Sequence, residues 1–368
     1  MMQNLLTRLK VTKLSLLFAI ILLLVLSLFF SDLFLSKIRA HRMPNSCNLC
    51  QGKENVTFGS AKEFLHFSMP AAGKSTQEAI HVLFLFAHVK RKPDLKNKLS
   101  KCMSSLFKYA TSPLHLHILT DTSSLNAAIE VLRESASLAN NSVEITLYNV
   151  NMLLEPLQEF IDAIRPHFSY KKGAYYSDGL FFISICLFKV LPLEKIIIVD
   201  ADVKFLDDIK SLHGHFDNFT FEALIGIAAE QQPVYRHVLN EYRRLHKETV
   251  VGNPLPDGMP GFNSGVLLLN LEKMRHSGLY SDIVNNSSYV VQLVEKYKFK
   301  GHLGDQDFYT LVSLEYPQLF YTLPCSWNRQ LCQWWKSHGY GDVFEKYNSC
   351  NETIHLLHGN CNTFIPDG

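Results

Sequence analysis

The chain has 368 residues, with 36 Lys and Arg, 34 Asp and Glu, and a formal net charge of +2. Hydrophobic residues make up 47% and charged residues 19%, which suits one large or two ordinary domains and excludes a largely disordered chain. So near-neutral a balance gives no electrostatic reason to expect nucleic acid as a partner.

Leu14 to Ser31 carry no charge and are mostly Leu, Ile, Val and Phe. A run of this length is near the lower limit for crossing a bilayer, and Leu33 to Leu35 extend it past Asp32. A cleaved signal peptide is the competing reading, but no A-x-A-like site follows, so an uncleaved signal anchor is favoured. Each flank carries three Lys or Arg residues, so the positive-inside rule does not set the orientation. The expected division is a tail over 1–13, a transmembrane anchor over 14–36, a stem over 37–77 and a catalytic domain over 78–368.

Two features point to a lumenal catalytic part. Asn55, Asn140, Asn218, Asn285, Asn286 and Asn351 each begin an Asn-x-Ser/Thr triplet. Of eight cysteines, Cys325, Cys332, Cys350 and Cys361 cluster late, with spacings that fit no zinc finger. Two disulfides are the preferred reading over four buried thiols, with three pairings open, and they need an oxidising compartment. Cys47 and Cys50 form a C-x-x-C in the stem, without the βαβ context of a redox motif.

From His81 the pattern becomes periodic. "HVLFLFAH" (81–88) predicts a buried strand, 94–109 a helix, and "LHLHILT" (114–120) a strand. A helix follows to about 139, then the strand "VEITLYNV" (143–150), helices over about 152–165 and 175–190, and the strand "KIIIVDADV" (195–203). Strands alternating with helices predict an α/β fold with a mostly parallel sheet covered on both faces. Ligands of such sheets bind beyond the carboxyl ends of the strands.

Asp200-Ala201-Asp202 directly follows the apolar run Ile196 to Val199. Residues two apart in an extended chain point the same way, so both carboxylates present together. Two like charges so placed are costly unless a cation joins them; a solvated acidic turn is the bland alternative. In "PGFNSGVLLLNL" (260–271), Pro260, Gly261 and Gly265 bracket a turn into a strand, while Asn263 and Ser264 offer hydrogen bonds. The small residues there suit close backbone approach to a ligand. "GHLGDQDFYT" (301–310) opens an apolar helix; Asp305 reads as its N-cap, and Gln306 suits hydrogen bonding to a sugar. In "IHLLHGNCN" (354–362), His355 and His358 cannot share a strand face; His358, followed by Gly359, is the better ligand. Imidazole with carboxylates suits Mn²⁺ or Zn²⁺ better than Ca²⁺. Trp327, Trp334 and Trp335 are core or sugar-facing aromatics.

The order of D-x-D, G-F-N-S-G-V, G-D-Q-D and H-G resembles glycosyltransferase family 8. "YYSDGLFFIS", "QPVYRH", "PGFNSGVLLLNLE", "KGHLGDQDF", "WNRQLCQWW" and "HGNCNTFIP" are similar to its xyloside-acting subgroup, over roughly 80–368. The resemblance implies the GT-A nucleotide-sugar transferase fold, a UDP-xylose donor and Mn²⁺ (or Mg²⁺). It implies addition of a second xylose, α-1,3 and with retention, to xylosyl-glucose on serine in EGF-like repeats of Notch-type glycoproteins. It also implies a type II membrane protein of the endoplasmic reticulum, or the Golgi.

Carried over by position, Asp200, Asp202 and His358 are the implied metal ligands. Leu85, Phe86 and Ala87 would hold the nucleotide. Asp178 would lie near the donor. Ala201, Ser264, Leu303 and Gln306 would contact donor sugar or ribose, with Gln306 the candidate catalytic residue. Trp335 and Asn360 would meet the acceptor. Many family 8 enzymes place a Lys after His-Gly; "HGNCNTF" has none, so metal and backbone are expected to carry the leaving-group charge. "FLFAHVK" also differs from the subgroup's usual residues. The alternatives are a family 8 transferase with another lumenal acceptor, and a non-catalytic lectin or scaffold of the same fold. A metallohydrolase lacks H-E-x-x-H.

Overall fold

The structure, a computed structural model, describes residues 55–57, 63–69, 78–169 and 178–366. The tail, the expected membrane anchor at 14–36, and Cys47 and Cys50 lie outside the described residues. Among the described residues, no helix is long and apolar enough to cross a membrane.

Twelve strands are present among the described residues: β1 (Asn55–Thr57), β2 (Glu63–Met69), β3 (Ile80–Leu85), β4 (Leu114–Thr120), β5 (Val143–Asn149), β6 (Lys195–Val199), β7 (Val203–Phe205), β8 (Ile225–Ala229), β9 (Phe262–Asn270), β10 (Phe320–Leu323), β11 (Arg329–Gln330) and β12 (Leu356–His358). Nine form one sheet in the order β1-β2-β5-β4-β3-β6-β9-β8-β10. The central strands β5, β4, β3 and β6 are parallel. On the flanks, β2 runs antiparallel to β5 and β9 antiparallel to both β6 and β8, while the edge strand β10 pairs parallel with β8. The sheet is thus mostly parallel, as expected, with β2 and β9 reversed on either side of the parallel centre. β1 and β2 correct the expected stem, because part of 37–77 continues the sheet.

The central strands read as unbroken apolar runs because both their faces are covered. On β6, Ile196 and Ile198 join one core layer while Ile197 and Val199 join the other. Each such fully buried side chain contributes about 1.5–3 kcal/mol. One layer is closed by helices α1 (Asp94–Tyr109) and α2 (Leu125–Ala136). Leu99, Cys102, Met103, Leu106 and Phe107 form the buried stripe of α1 at helical spacing. The other layer is closed by α3 (Gln158–Phe168), α4 (Ser287–Tyr297), α5 (Asp305–Ser313) and the 179–189 segment. That last segment is not the continuous helix expected over 175–190. It alternates short 3₁₀ and α turns, Gly179–Phe182, Ile183–Cys186 and Leu187–Lys189, with residues buried almost all round.

A second, three-stranded sheet has the order β11-β12-β7. Two disulfides hold its C-terminal strands, Cys325–Cys350 and Cys332–Cys361. Cys332 lies just beyond β11 and Cys361 just beyond β12, so the second bridge fastens that parallel pair.

Candidate active site

The carboxyl ends of β3 and β6 open onto a cavity of about 1410 Å³. Leu85, Ala87, Asp178, Asp200, Ala201, Asp202, Ser264, Leu303, Gln306, His358 and Asn360 all line it. Residues that span 275 positions of sequence are thus brought to one place by the sheet.

Asp200 and Asp202 arrive because β6 ends at Val199 and β7 restarts at Val203 in the other sheet. The turn between them is pinned at both ends. Asp200 N donates to Gly265 O at 2.9 Å, and Gly359 N donates to Asp202 O at 2.8 Å. β12 pairs antiparallel with β7, setting His358 opposite Val203, one residue beyond Asp202. His358 Nε2 then lies 3.6 Å from Asp200 Oδ2 and 3.6 Å from Asp202 Oδ1.

Gly265 makes this convergence possible. A Cβ on it would stand 2.2 Å from His358 Cε1. The glycine expected to admit a ligand instead admits the imidazole. At Gly359 a Cβ would meet Thr363 O at 2.7 Å and the Ile365 side chain. Its small size serves the C-terminal turn.

His358 is buried, and its Nδ1 is 2.9 Å from Asn328 Oδ1. A proton on Nδ1 satisfies that oxygen and leaves the Nε2 lone pair facing the two aspartates. Burial lowers the His358 pKa against the raising influence of Asp202, which favours the neutral ring. Asp200 shows half of its side-chain surface and lines the cavity. Its position deep in the fold raises its pKa well above the usual carboxylate range, as do Asp202 and Asp305; Lys98 opposes them. Two crowded carboxylates and a neutral imidazole nitrogen fit a divalent cation, which would relieve that repulsion. These three residues can hold such an ion.

Gln306 is held from two sides. Its Oε1 accepts from Ser264 N at 3.3 Å, and its Nε2 donates to Glu230 Oε2 at 3.1 Å. Asn263 Nδ2 donates to the same Glu230 oxygen, and Asn328 Nδ2 donates to Asn263 Oδ1 at 2.9 Å. A buried polar chain thus runs from His358 through Asn328, Asn263 and Glu230 to Gln306. Burial pushes the Glu230 carboxyl up to about 8, against hydrogen bonds from Asn263 and Gln306. Asp305 is not the cap of α5. Gly304 is, at φ 68°, and Asp305 begins the helix, accepting from Ser184 Oγ at 2.5 Å and Ser264 Oγ at 2.9 Å.

Other sequence expectations divide. Phe86 is buried in the core layer under α1 and α2, away from the cavity, so only its backbone faces the strand end. Alternation along β3 accounts for this, with Leu85 and Ala87 facing the cavity on either side of it. Trp335 does not line the cavity; its ring packs against His237 and Tyr340. Trp327 is core, stacked on His355. Asn360 lines the cavity while its Oδ1 accepts from Cys332 N at 2.9 Å.

Several cavity residues carry no motif. Lys98 reaches in from α1, its Nζ 3.5 Å from Asp202 Oδ2 and 2.7 Å from Asn362 Oδ1. Arg91 and Lys92 line the same wall. Cationic side chains therefore do stand at the site, supplied before α1 and within it rather than after His-Gly. The basic run 90–92 beside the end of a strand was the available signal. His88 has a left-handed backbone, φ 61°, with its N on Asp121 Oδ2 at 2.6 Å and its Nε2 2.8 Å from Asp178 Oδ2. This tie fixes Asp178 at the cavity rim.

A strand-end carboxylate pair with a histidine, on a sheet of this topology, narrows the fold. Residues 55–362 match the family model described as Glycosyl transferase family 8. This chain is a family 8 glycosyltransferase. Its mixed α/β sheet fits the GT-A fold. It is 44% identical over 294 residues to Xyloside xylosyltransferase 1 of Mus musculus and of Homo sapiens, covering 78% of this chain and 75% of each relative. The crystal structure of mouse Xyloside xylosyltransferase 1, apo form, superposes with a TM-score of 0.75 at 43% identity, covering 78% of this chain and all of that one. The Xylosyl- and glucuronyltransferase LARGE2 of Mus musculus is 30% identical over 293 residues, 78% of this chain but 35% of that protein.

Proposed function

We propose that this family 8 glycosyltransferase moves xylose from UDP-xylose, with Mn²⁺ (or Mg²⁺), onto the xylosyl-glucose carried by serine in EGF-like repeats of Notch-type glycoproteins. The new linkage is α-1,3 and the donor's α configuration is retained. The observation that carries this is the convergence of Asp200, Asp202 and His358 on one cavity, in a chain 44% identical to a Xyloside xylosyltransferase.

A divalent cation bound there offsets the negative charge that develops on the departing diphosphate. The chain's own groups do the rest. Asn328 holds the His358 tautomer, and Lys98 adds positive charge beside Asp202. The Gln306 carboxamide is fixed between Ser264 and Glu230, aimed by both and suited to hydrogen bonding the sugar. It is too weak a nucleophile for a comfortable covalent intermediate. Asp305, the nearby carboxylate, is already engaged by Ser184 and Ser264. Retention therefore follows attack on the leaving-group face, where a β-phosphate oxygen of the donor takes the acceptor proton. The anomeric carbon has oxocarbenium character in that transition state.

A lumenal, membrane-anchored location in the endoplasmic reticulum or Golgi belongs to the same proposal. Two disulfides and the exposed Asn140, Asn218, Asn285 and Asn351 support it.

Product analysis tests the reading. The protein is mixed with UDP-xylose, Mn²⁺ and an EGF-like repeat bearing xylosyl-glucose, and the mass is measured. A gain of one pentose is expected. No gain on a verified acceptor, with transfer to another lumenal glycan, would replace the acceptor assignment.

A further inference from the structure

The transferase site leaves unused a row of histidines at the other end of the sheet. His115 and His117 are two apart on β4, so both side chains stand on one face. His81 is directly opposite His115 in the parallel pairing of β3 with β4. Glu144 and Thr146 of β5 stand opposite His115 and His117 on the other flank. The side-chain rings of His115 and His117 lie 4.2 Å apart, and His81 Nδ1 is 2.9 Å from His117 Nε2. One nitrogen from each of the three imidazoles lies within 4.8 Å of the others.

The remaining nitrogens of two rings are already anchored. His117 Nδ1 is 3.1 Å from Tyr148 Oη, and His115 Nε2 is 2.8 Å from Thr146 Oγ1. His115 Nδ1 is left facing Glu144 Oε2 at 3.5 Å. An imidazole whose second nitrogen is held by a neighbouring group is the arrangement that orients histidine ligands on a metal. His117 is almost wholly buried, and burial favours the neutral, lone-pair form of all three rings.

We propose that His81, His115 and His117 bind Zn²⁺ or a similar divalent transition metal, with Glu144 in reach as a fourth ligand. Three imidazoles and a carboxylate suit four-coordinate zinc. The site lies at the amino-terminal ends of β3 and β4, about 7 Å along β3 from Leu83, the nearest residue of that strand to line the cavity. Its role is to tie these two strands together; it takes no part in transfer.

The test is metal occupancy of the full-length protein, stripped with chelator and reloaded with Zn²⁺ or Co²⁺. Asp202→Asn removes the catalytic cation from the count, so any remaining equivalent belongs elsewhere. The Asp202→Asn protein is expected to retain bound Zn²⁺ and, with Co²⁺, to show the intense visible bands of a tetrahedral centre. Adding His115→Ala should abolish both. If that variant misfolds by circular dichroism, His81→Gln at the partly exposed rim makes the same comparison. Absence of metal in Asp202→Asn, or tetrahedral bands that survive a folded histidine variant, would overturn the site.

Discussion

Asp200 and Asp202 reach the cavity because an apolar strand ends there, and Lys98 because a helix of regular amphipathic pattern follows the strand next to it. His358 arrives by a longer route. A short ribbon, two disulfides and the missing side chain of Gly265 together fold the C-terminal segment back against the sheet. The first half of the site is set by local sequence and a deep core. The second depends on cross-links between residues far apart in the chain. Changes in the first half should therefore remove chemistry and leave the fold, whereas changes in the second should displace chemistry by loosening the fold.

The largest effect is expected at the strand end. Asp202→Asn should lower kcat by about 10³-fold or more while leaving the melting temperature close to wild type, read by steady-state assay and calorimetry. A comparable loss of stability would blur the division. Next comes the cross-linked half. Cys332→Ser with Cys361→Ser opens a loop with a sequence separation of 29 and should cost about 3 kcal/mol in denaturant unfolding. It should also weaken metal binding, because β12 carries His358, and it is expected to raise the Mn²⁺ concentration needed for half-maximal rate. Unchanged metal dependence would mean that the ribbon alone positions the histidine.

Gln306→Ala sits between the halves and should reduce kcat by about 10²–10³-fold without abolishing it, as removal of one positioned hydrogen-bonding group does. Total loss, with a trapped sugar adduct on the wild-type enzyme, would contradict front-face transfer. The smallest effect concerns Glu230. Its carboxyl is pushed up to about 8 by burial, from an ordinary value of 4.5. The folded state binds the proton more tightly than the unfolded chain, so stability is full below about 4.5 and falls as pH rises towards 8. Glu230→Gln should flatten that fall, read as a smaller drop in melting temperature between pH 5 and pH 8 than in wild type.

The two halves are also unequally legible in the sequence. β3, β4, β5 and β6 can be read because a short apolar run between polar turns fits a strand covered on both faces and little else. D-x-D stands out for the same reason, since it follows such a run. The reversed strands are hidden: β9 carries the same apolar signature as a parallel strand, and only its partners fix its direction. The 179–189 turns read as a helix because burial all round erases periodicity. Phe86 falls to the nucleotide by position, whereas strand alternation points it into the core. Lys98, Asn328 and Glu230 escape a sequence reading because their importance arises from contacts across 30 to 104 positions, which no local pattern encodes. The pairing of Cys332 with Cys361 belongs to the same class.

The central claim is that two separately built halves meet on one cation. A crystal of the protein grown with Mn²⁺ and UDP, measured for anomalous scattering, tests it most directly. The account predicts one peak bonded to Asp200, Asp202 and His358 Nε2, with the diphosphate of UDP completing its coordination. A peak bonded to the aspartates alone, with His358 Nε2 beyond bonding distance, would contradict it.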